Sequence, residues 1–263
     1  MPAKKNFEKY AKLLNPIDDL MFCKMAEHKE FCEEILRVIL EDEGLTVVEA
    51  IPQWQGKNLS GRSVVLDAKC VSGDGRHINI EVQKANDDNH LKRVRYNAAV
   101  LTTNISETGS KFEFIPDVCI VFISKFDMFD GGLPLYHIDK VVRETGQVID
   151  DGLTEIFVNT VNYDGSKPAR LMKLFTDNDA YSSDEFPITS ELKSRLKSSE
   201  GGSRTMNEIL EKLISDEKRE SEKRGAKNEK LKIAKTMLEE GLSAELIMRY
   251  TGLSKDAVAA LQV

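Results

Sequence analysis

Residues 76–83 of the chain read Arg-His-Ile-Asn-Ile-Glu-Val-Gln, in which polar and apolar side chains alternate. Successive side chains of a β-strand point to opposite faces, so this pattern predicts a strand whose polar face includes Glu81. Residues 64–71, Val-Val-Leu-Asp-Ala-Lys-Cys-Val, form a second strand-like run that places one acid, Asp67, among apolar residues. The Ser-Gly-Asp-Gly turn between the two runs predicts a β-hairpin.

A hairpin register that pairs Val71 with His77 brings Asp67 opposite Glu81. Directly opposed side chains lie about 5 Å apart, and two carboxylates at that spacing repel each other unless a cation or a proton intervenes. Hard oxygen ligands suit Mg²⁺, which takes one or two protein carboxylates together with water and phosphate oxygens. The hairpin therefore indicates a magnesium site for phosphodiester hydrolysis. The alternative is that Glu81 lies on the solvated face of an antiparallel strand.

The rest of the chain predicts an α/β fold with a mixed central sheet flanked by helices. Helical patterns precede the first strand and follow the third, an order that favours such a sheet. Segments rich in Val and Ile predict strands at residues 45–51, 63–71, 76–83, 116–124, 135–142 and 155–161.

The C-terminal third changes in character, because loop-forming residues and then a charged helical pattern follow the last predicted strand. We expect a first domain of residues 1–181, a charged linker and connecting helix of residues 182–225, and a small helical tail of residues 226–263. Gly252-Leu-Ser254, between two short amphipathic helices, is typical of a helix-turn-helix. The tail is interpreted either as a DNA-reading module or as a packing and partner-contact module, and its helices are candidates for a homo-oligomer contact.

Composition narrows the class of protein. Hydrophobic residues make up 41% and charged residues 31% of the chain, and no apolar run is long enough to cross a bilayer. Residues 1–10 lack the apolar stretch of a secretory signal, so we expect a cytoplasmic protein without membrane contact. The four cysteines form no CxxC pair and lie in apolar segments, which favours buried thiols over zinc ligands. The net charge of −7 argues against a nucleic-acid coat protein, although a cleft can differ locally.

The hairpin resembles the PD-(D/E)xK nuclease superfamily, in the branch whose lysine position holds glutamine. Three other segments resemble the PD-(D/E)xK family transposases, also called recombination-promoting nucleases: residues 15–24, Asn-Pro-Ile-Asp-Asp-Leu-Met-Phe-Cys-Lys; Arg93-Val-Arg-Tyr96; and the Leu-Glu-Glu-Gly-Leu-Ser of residues 238–243. The resemblance implies a restriction-endonuclease-like core in the first domain, with the helical extension behind it.

The resemblance also implies roles for individual residues. Asp67 and Glu81 would hold Mg²⁺, with Mn²⁺ as a substitute, and Asp19 would be a third acid near the metal. Gln83 would position the attacking water or a phosphate oxygen. Two departures affect the site: Leu66 stands where the family has proline, and no lysine follows Glu81 at the family spacing. Lys69 is then the candidate to supply the missing charge, because strict alternation puts it on the face of Asp67.

The helix that follows the hairpin is interpreted as part of a DNA-binding rim. Arg93, Arg95 and Lys84 are candidates for phosphate contacts, and Tyr96 has a supporting role in the resemblance. The alternatives are that the basic residues are the solvated side of a helix and that Tyr96 belongs to the core. Asp19 is equally open to interpretation as a helix N-cap.

Two functions follow from this sequence. The first is a metal-dependent DNA endonuclease linked to mobile elements or recombination, as the resemblance implies. The second is a non-catalytic DNA-binding or assembly protein on a decayed nuclease fold, which the absent lysine and the acidic net charge favour.

Overall fold

The computed structural model describes residues 13–58, 61–198, 234 and 244–251. The helices are α1 (Asp19–Ala26), α2 (Lys29–Ile39), α3 (His90–Ile105), α4 (Lys167–Thr176), α5 (Pro187–Ser198) and α6 (Ala244–Thr251), with a 3-10 turn at Phe112–Phe114. The strands are β1 (Val47–Gly56), β2 (Val64–Ser72), β3 (His77–Gln83), β4 (Val118–Ser124), β5 (Leu135–Ile138), β6 (Lys140–Val141), β7 (Val148–Ile149) and β8 (Leu153–Asn159).

A six-stranded sheet in the order β1-β2-β3-β4-β8-β5 forms the centre of the fold. The β1-β2-β3 meander is antiparallel, α3 connects β3 to the parallel strand β4, and β8 continues in parallel beside β4. Strand β5 closes the edge in antiparallel orientation. This mixed sheet with flanking helices is a restriction-endonuclease-like core, so the predicted fold class is confirmed. The predicted hairpin register is also found, since Val71 pairs with His77.

Helix α3 covers one face of the sheet. A buried cluster joins its Val94, Ala98 and Leu101 to Ile120 and Phe122 of β4. The alternate residues of β4 are buried as well, so both faces of this strand are covered and it reads as a continuous apolar run.

Helices α1, α2 and α4 form the second helical layer. Cys32 of α2 contacts Cys70 of β2, and Cys70 lies in one row of the sheet with Ile78 and Cys119, on the face opposite α3. Aromatic rings extend this layer through α1, α2 and α4, where Phe31 lies 5.7 Å from Phe22 and 6.4 Å from Phe175 between ring centroids. All four cysteines are free thiols; three are buried and Cys23 is half-buried.

The segment predicted as one strand at residues 135–142 is divided between two sheets. Strand β5 ends at Ile138, and β6 pairs with β7 in a separate two-stranded hairpin. The hairpin turns through Gly146, whose φ of 72° suits glycine, and its backbone N–H donates to the Val142 carbonyl. The local turn thus ends the long strand that the Val-rich pattern predicted.

In strand β2 the alternation of side chains between the two faces of the sheet is interrupted at Asp67. Leu66 packs with Phe122 in the α3 cluster. Two residues later, Ala68 pairs with Ile80, and Ile80 pairs with Val121. These residues lie on the face opposite α3, although Leu66 and Ala68 would share one face in a regular strand. On the neighbouring strand Gln53 has a φ of 50°, so the alternation of side chains is broken on β1 as well. Irregularities of this kind redirect side chains and are common beside active sites.

The first compact unit extends beyond the predicted boundary at residue 181. It runs from Met1 to Asn207 and includes α5, while a second unit comprises residues 208–263. Lys193 of α5 is fully buried, and its ammonium group donates hydrogen bonds to the carbonyls of Leu174 and Ala180 at 2.9 and 3.0 Å. Because α5 satisfies carbonyls at the end of α4, it belongs to the core rather than to a linker.

We predict that Glu34→Ala destabilises the first unit. The Glu34 carboxylate accepts hydrogen bonds from the backbone N–H groups of Ile188 and Thr189 at 2.9 and 2.8 Å, and so caps α5. Loss of such a cap costs about 1 kcal/mol and should lower the thermal midpoint by about 2–4 °C. Glu30→Ala, at an exposed position of the same helix, is the matched control. Equal midpoints for the two variants in thermal denaturation would contradict the assignment of this cap.

The second unit is described only at residue 234 and in α6. The predicted charged helix between residues 205 and 235 and the Gly252-Leu-Ser254 turn therefore lie outside the described residues, apart from Ala234. The proposed homo-oligomer contact through the C-terminal helices also falls there. In the described segments, no helix combines the length and the apolar character that a bilayer crossing requires.

Candidate metal and nucleic-acid site

Glu81 is the centre of the candidate site. It lies near the end of β3, where α3 crosses above the sheet, and only 1% of the residue is exposed. Its Oε1 accepts hydrogen bonds from Asn79 at 3.1 Å and from Asn97 of α3 at 3.2 Å. Its Oε2 lies 3.6 Å from the Arg93 guanidinium group. Glu81 therefore faces α3 and not bulk water, contrary to the solvated-face alternative.

Asp67 reaches the same place from β2. The last pair of residues in the β2–β3 ladder is Ala68 and Ile80. Asp67 and Glu81 are the next two residues in the same register, just beyond the end of the ladder. The Asp67 Oδ2 accepts a 2.9 Å hydrogen bond from the Val82 backbone N–H. A side-chain carboxylate thus takes this backbone N–H at the point where the alternation of β2 is interrupted, and in the described residues no hydrogen bond reaches its second oxygen.

Burial raises the pKa values of both carboxyl groups. The pKa of Asp67 is about 6 and that of Glu81 about 8, and in each case the main cause is desolvation. The charge of Asp67 raises the pKa of Glu81 further, while Arg93 lowers both values. Two acids that interact in this way titrate as a pair, and the pair favours retention of a proton or capture of a cation.

Gln83 is connected to this pair through Arg93. The Gln83 Oε1 accepts a 2.9 Å hydrogen bond from Arg93 Nη1, and its Nε2 donates to the Ala85 carbonyl at 3.0 Å. Arg93 therefore bridges Glu81 and Gln83, as expected if all three lie on one face. Since both ends of the amide are engaged, Gln83 acts here by holding the guanidinium group.

Helix α1 brings acids to the open side of the site. Asp19 is exposed, yet partial desolvation raises its pKa, and its charge raises the pKa of Asp67. The N-cap interpretation of Asp19 is wrong, because Asp18 occupies that position and Asp19 is the first helical residue. Asp18 accepts a 2.5 Å hydrogen bond from the Lys84 ammonium group, which ties the segment after β3 to α1.

Asp19 does not complete a three-acid metal cluster. In residues 13–58, 61–198, 234 and 244–251, no group of three or more His, Cys, Asp or Glu side chains is arranged to hold one ion. Direct ligation by Asp19 together with Asp67 and Glu81 is thus not supported by this arrangement. Asp19 contributes negative charge from the rim instead.

Lys69 is not brought to the carboxylate pair. Its ammonium group lies 3.6 Å from Glu49 and 5.8 Å from the centre of the Trp54 ring. Lys69 pairs with Asn79, two residues before Glu81 on β3, and its ammonium group extends to Glu49 of β1 instead of the carboxylate pair. Arg93, from a helix, is the cation that the fold places beside Glu81.

Three of the four predicted DNA-binding residues lie around a cavity of about 600 Å³ along α3. Arg93, Arg95 and Tyr96 all line it, whereas Lys84 is engaged with Asp18. The Tyr96 ring is partly buried and packs against the α3 cluster, so its interpretation as a core residue is partly right.

Sequence reasoning missed Asn97. It stands four residues after Arg93 on α3, so both side chains point from one face of the helix towards Glu81. That spacing is visible in the sequence, but only the docking of α3 on β3 shows that the two residues meet a single carboxylate.

A mixed sheet with an Asp–Glu pair at the point where two neighbouring strands separate, with Glu81 buried and Asp67 half-buried, defines a nuclease core of the PD-(D/E)xK class. A family model described as PD-(D/E)XK nuclease family transposase matches residues 19–175, more than half of the chain. The chain therefore belongs to the PD-(D/E)XK nuclease family transposases, a nuclease family linked to mobile elements. A second model, described as the C-terminal HTH domain of the Rpn/YhgA-like nuclease family, matches residues 227–263. No curated protein sequence and no solved structure matches the chain significantly.

Proposed function

We propose that this chain is a metal-dependent DNA endonuclease that hydrolyses phosphodiester bonds, with Asp67 and Glu81 as ligands of Mg²⁺ and with Mn²⁺ as a substitute. The observation that carries the proposal is the Asp67–Glu81 pair, in which desolvation raises both pKa values. The charge of Asp67 raises the pKa of Glu81 further, and the charge of Asp19 raises that of Asp67. Keeping two acids in such a place is costly as structure alone, and a divalent cation removes that cost.

The donor set fits a hard, partly hydrated cation. Two carboxylates face the site, and the absence of a larger cluster in the described ranges leaves other positions to water and phosphate oxygens. Mg²⁺ favours this combination, since it loses its water ligands reluctantly and takes few protein ligands in phosphoryl-transfer sites. When bound, the ion would polarise the phosphate and lower the pKa of a coordinated water.

The side chains of this chain orient and balance charge around that centre. Asn79 and Asn97 hold Oε1 of Glu81, which directs the carboxylate into the site. Arg93, held by Gln83, carries a positive charge that can offset charge developing on a phosphate. In this proposal Arg93 takes the electrostatic role that Lys69 was predicted to have.

The second candidate is a non-catalytic DNA-binding or assembly protein on a decayed nuclease fold. One observation favours it: Gln83 replaces the family lysine, and both ends of its amide already have partners. The two candidates differ in whether the Asp67–Glu81 pair binds a divalent metal.

Metal binding is therefore the decisive measurement. We expect titration calorimetry to detect Mg²⁺ or Mn²⁺ binding to the parent protein, and plasmid DNA to be cut only when metal is present. Asp67→Asn should lose both properties, because a neutral amide is a poor ligand for a hard cation. Glu107→Gln, at an exposed position far along the chain, should behave like the parent. Metal binding that survives Asp67→Asn would place the ion elsewhere and favour the second candidate.

We further propose that DNA is the partner of the nuclease unit and of the C-terminal HTH domain, in a recombination or mobile-element setting. Support comes from the two family matches and from the cations along α3. A comparison of DNA affinity between the full chain and a chain ending at residue 207 tests the contribution of the HTH domain.

A further inference from the structure

The cavity along α3 is a strong anion site by its charges. Four cationic side chains line it, whereas Asp88 is the only acid in the described part of the lining. The Asp88 carboxylate is engaged by the Asn89 backbone N–H at 2.7 Å. Within the described ranges, the cations Arg62, Lys92 and Arg95 take part in no ion pair, so their charges are free to bind an anion.

One wall of the cavity is an aromatic ring held in place. The Tyr96 hydroxyl donates a hydrogen bond to the Arg62 carbonyl and accepts one from Asn58 Nδ2 at 3.1 Å. These contacts attach the ring of Tyr96 to the loop between β1 and β2. A fixed aromatic face beside unpaired cations is the arrangement on which nucleic-acid bases stack in single-strand binding proteins.

The cavity shares two of its lining residues with the surroundings of Glu81. Arg93 and Asn97 line the cavity and also contact the Glu81 carboxylate. The cavity volume of about 600 Å³ is within the range of small-molecule pockets, roughly 300–1,000 Å³. It therefore has room for one nucleotide next to the proposed site of phosphodiester hydrolysis.

We propose that this cavity binds one unstacked nucleotide of the DNA strand, with its base against Tyr96 and its phosphates on Arg62, Lys92 and Arg95. A fully paired duplex keeps its bases stacked, so it would meet the cations but leave the aromatic wall unused. The chain would then prefer DNA that has an unpaired nucleotide near the bond to be cut. This inference rests on the proposed action on DNA but concerns recognition, which is measurable without catalysis.

The test is a comparison of two DNA ligands in EDTA, where no cleavage takes place. Fluorescence anisotropy with the full chain would measure the affinity for a paired duplex and for the same duplex with a single-nucleotide bulge. We expect at least about a fivefold tighter complex with the bulged DNA, since stacking of one base contributes about 1–3 kcal/mol. The two ligands have the same paired arms, so any contact of the HTH domain with paired DNA is common to both, and the difference between them reports the bulge. Equal affinities would overturn the proposal.

Two pairs of variants locate the effect. Tyr96→Leu should remove the preference for the bulge, whereas Tyr96→Phe keeps the ring and should retain most of it. Lys92→Ala should weaken both complexes and reduce their salt dependence, unlike Lys111→Ala at an exposed, ion-paired position. A preference for the bulge that survives Tyr96→Leu, or a Lys92→Ala protein that binds both ligands like the parent, places the nucleotide elsewhere.

The outcomes also separate this inference from the proposed function. A protein that cuts plasmid DNA with metal but shows no preference for the bulge would retain the nuclease function and reject the nucleotide site. A protein that prefers the bulge through Tyr96 but never cuts would retain the nucleotide site and reject catalysis.

Discussion

Glu81→Gln is expected to abolish metal-dependent DNA cleavage and to stabilise the metal-free protein at pH 8. Glutamine has the shape of glutamate, and its carbonyl oxygen can still accept the hydrogen bonds from Asn79 and Asn97. The change removes a metal ligand and, with it, a buried negative charge beside Asp67. A catalytic loss together with a gain in stability is characteristic of a residue whose charge serves function at the expense of the fold.

The pH dependence of this gain has a definite sign. Burial raises the pKa of Glu81 from 4.5 to about 8, so the folded state holds the proton more tightly than the unfolded state. Stability is then greatest below pH 4.5 and falls as the pH rises towards 8. The free energy of unfolding of Glu81→Gln should therefore equal that of the parent at about pH 4 and exceed it by a few kcal/mol at about pH 8 and above. The pKa of Asp67 is also raised, to about 6, so its ionisation likewise lowers stability as the pH rises.

Chemical denaturation at a series of pH values, in EDTA, measures this difference. Glu107→Gln is the control, because removal of an exposed acid should leave the pH profile of the parent unchanged. Addition of Mg²⁺ at pH 8 should stabilise the parent but not Glu81→Gln, since only the parent binds the ion. A Glu81→Gln protein that is no more stable than the parent at pH 8 would show that Glu81 is ionised at little cost.

Gln83→Leu is expected to slow single-turnover cleavage by about 100-fold, a typical loss when one donor at such a site, here Arg93, is no longer held in position. Leucine cannot accept the hydrogen bond from Arg93, so the guanidinium group loses its second anchor and becomes less well placed beside Glu81. Gln83→Lys should retain activity, because an ammonium group at this position can pair with Glu81 in place of Arg93 and restores the charge of the family pattern.

The measurement is the rate of cleavage at saturating Mg²⁺ by the parent, Gln83→Leu and Gln83→Lys. Gln147→Leu, an exposed substitution in the turn between β6 and β7, controls for the added apolar surface. A parental rate for Gln83→Leu would mean that Arg93 does not depend on Gln83, and the electrostatic role of the Glu81–Arg93–Gln83 chain would have to be abandoned.

The sequence alone was sufficient for the β2–β3 hairpin and for the candidate pair within it. Alternation is a local property of a strand, and a short turn restricts the register, so Val71 opposite His77 could be predicted from the residues between 64 and 83. The resemblance to the PD-(D/E)xK nucleases, carried by motifs in the same region, led to the family that the comparison later showed. Local patterns thus determined the fold class and the identity of the two acids.

The tertiary structure decided which other side chains reach those acids. Asn97 and Arg93 meet Glu81 because α3 docks across β3, and Lys69 contacts Glu49 because β1 pairs beside β2. Helix α5 joins the core through the buried Lys193. These contacts join different elements of the fold. A periodicity read along one segment carries no information about such contacts, because the packing between elements determines them.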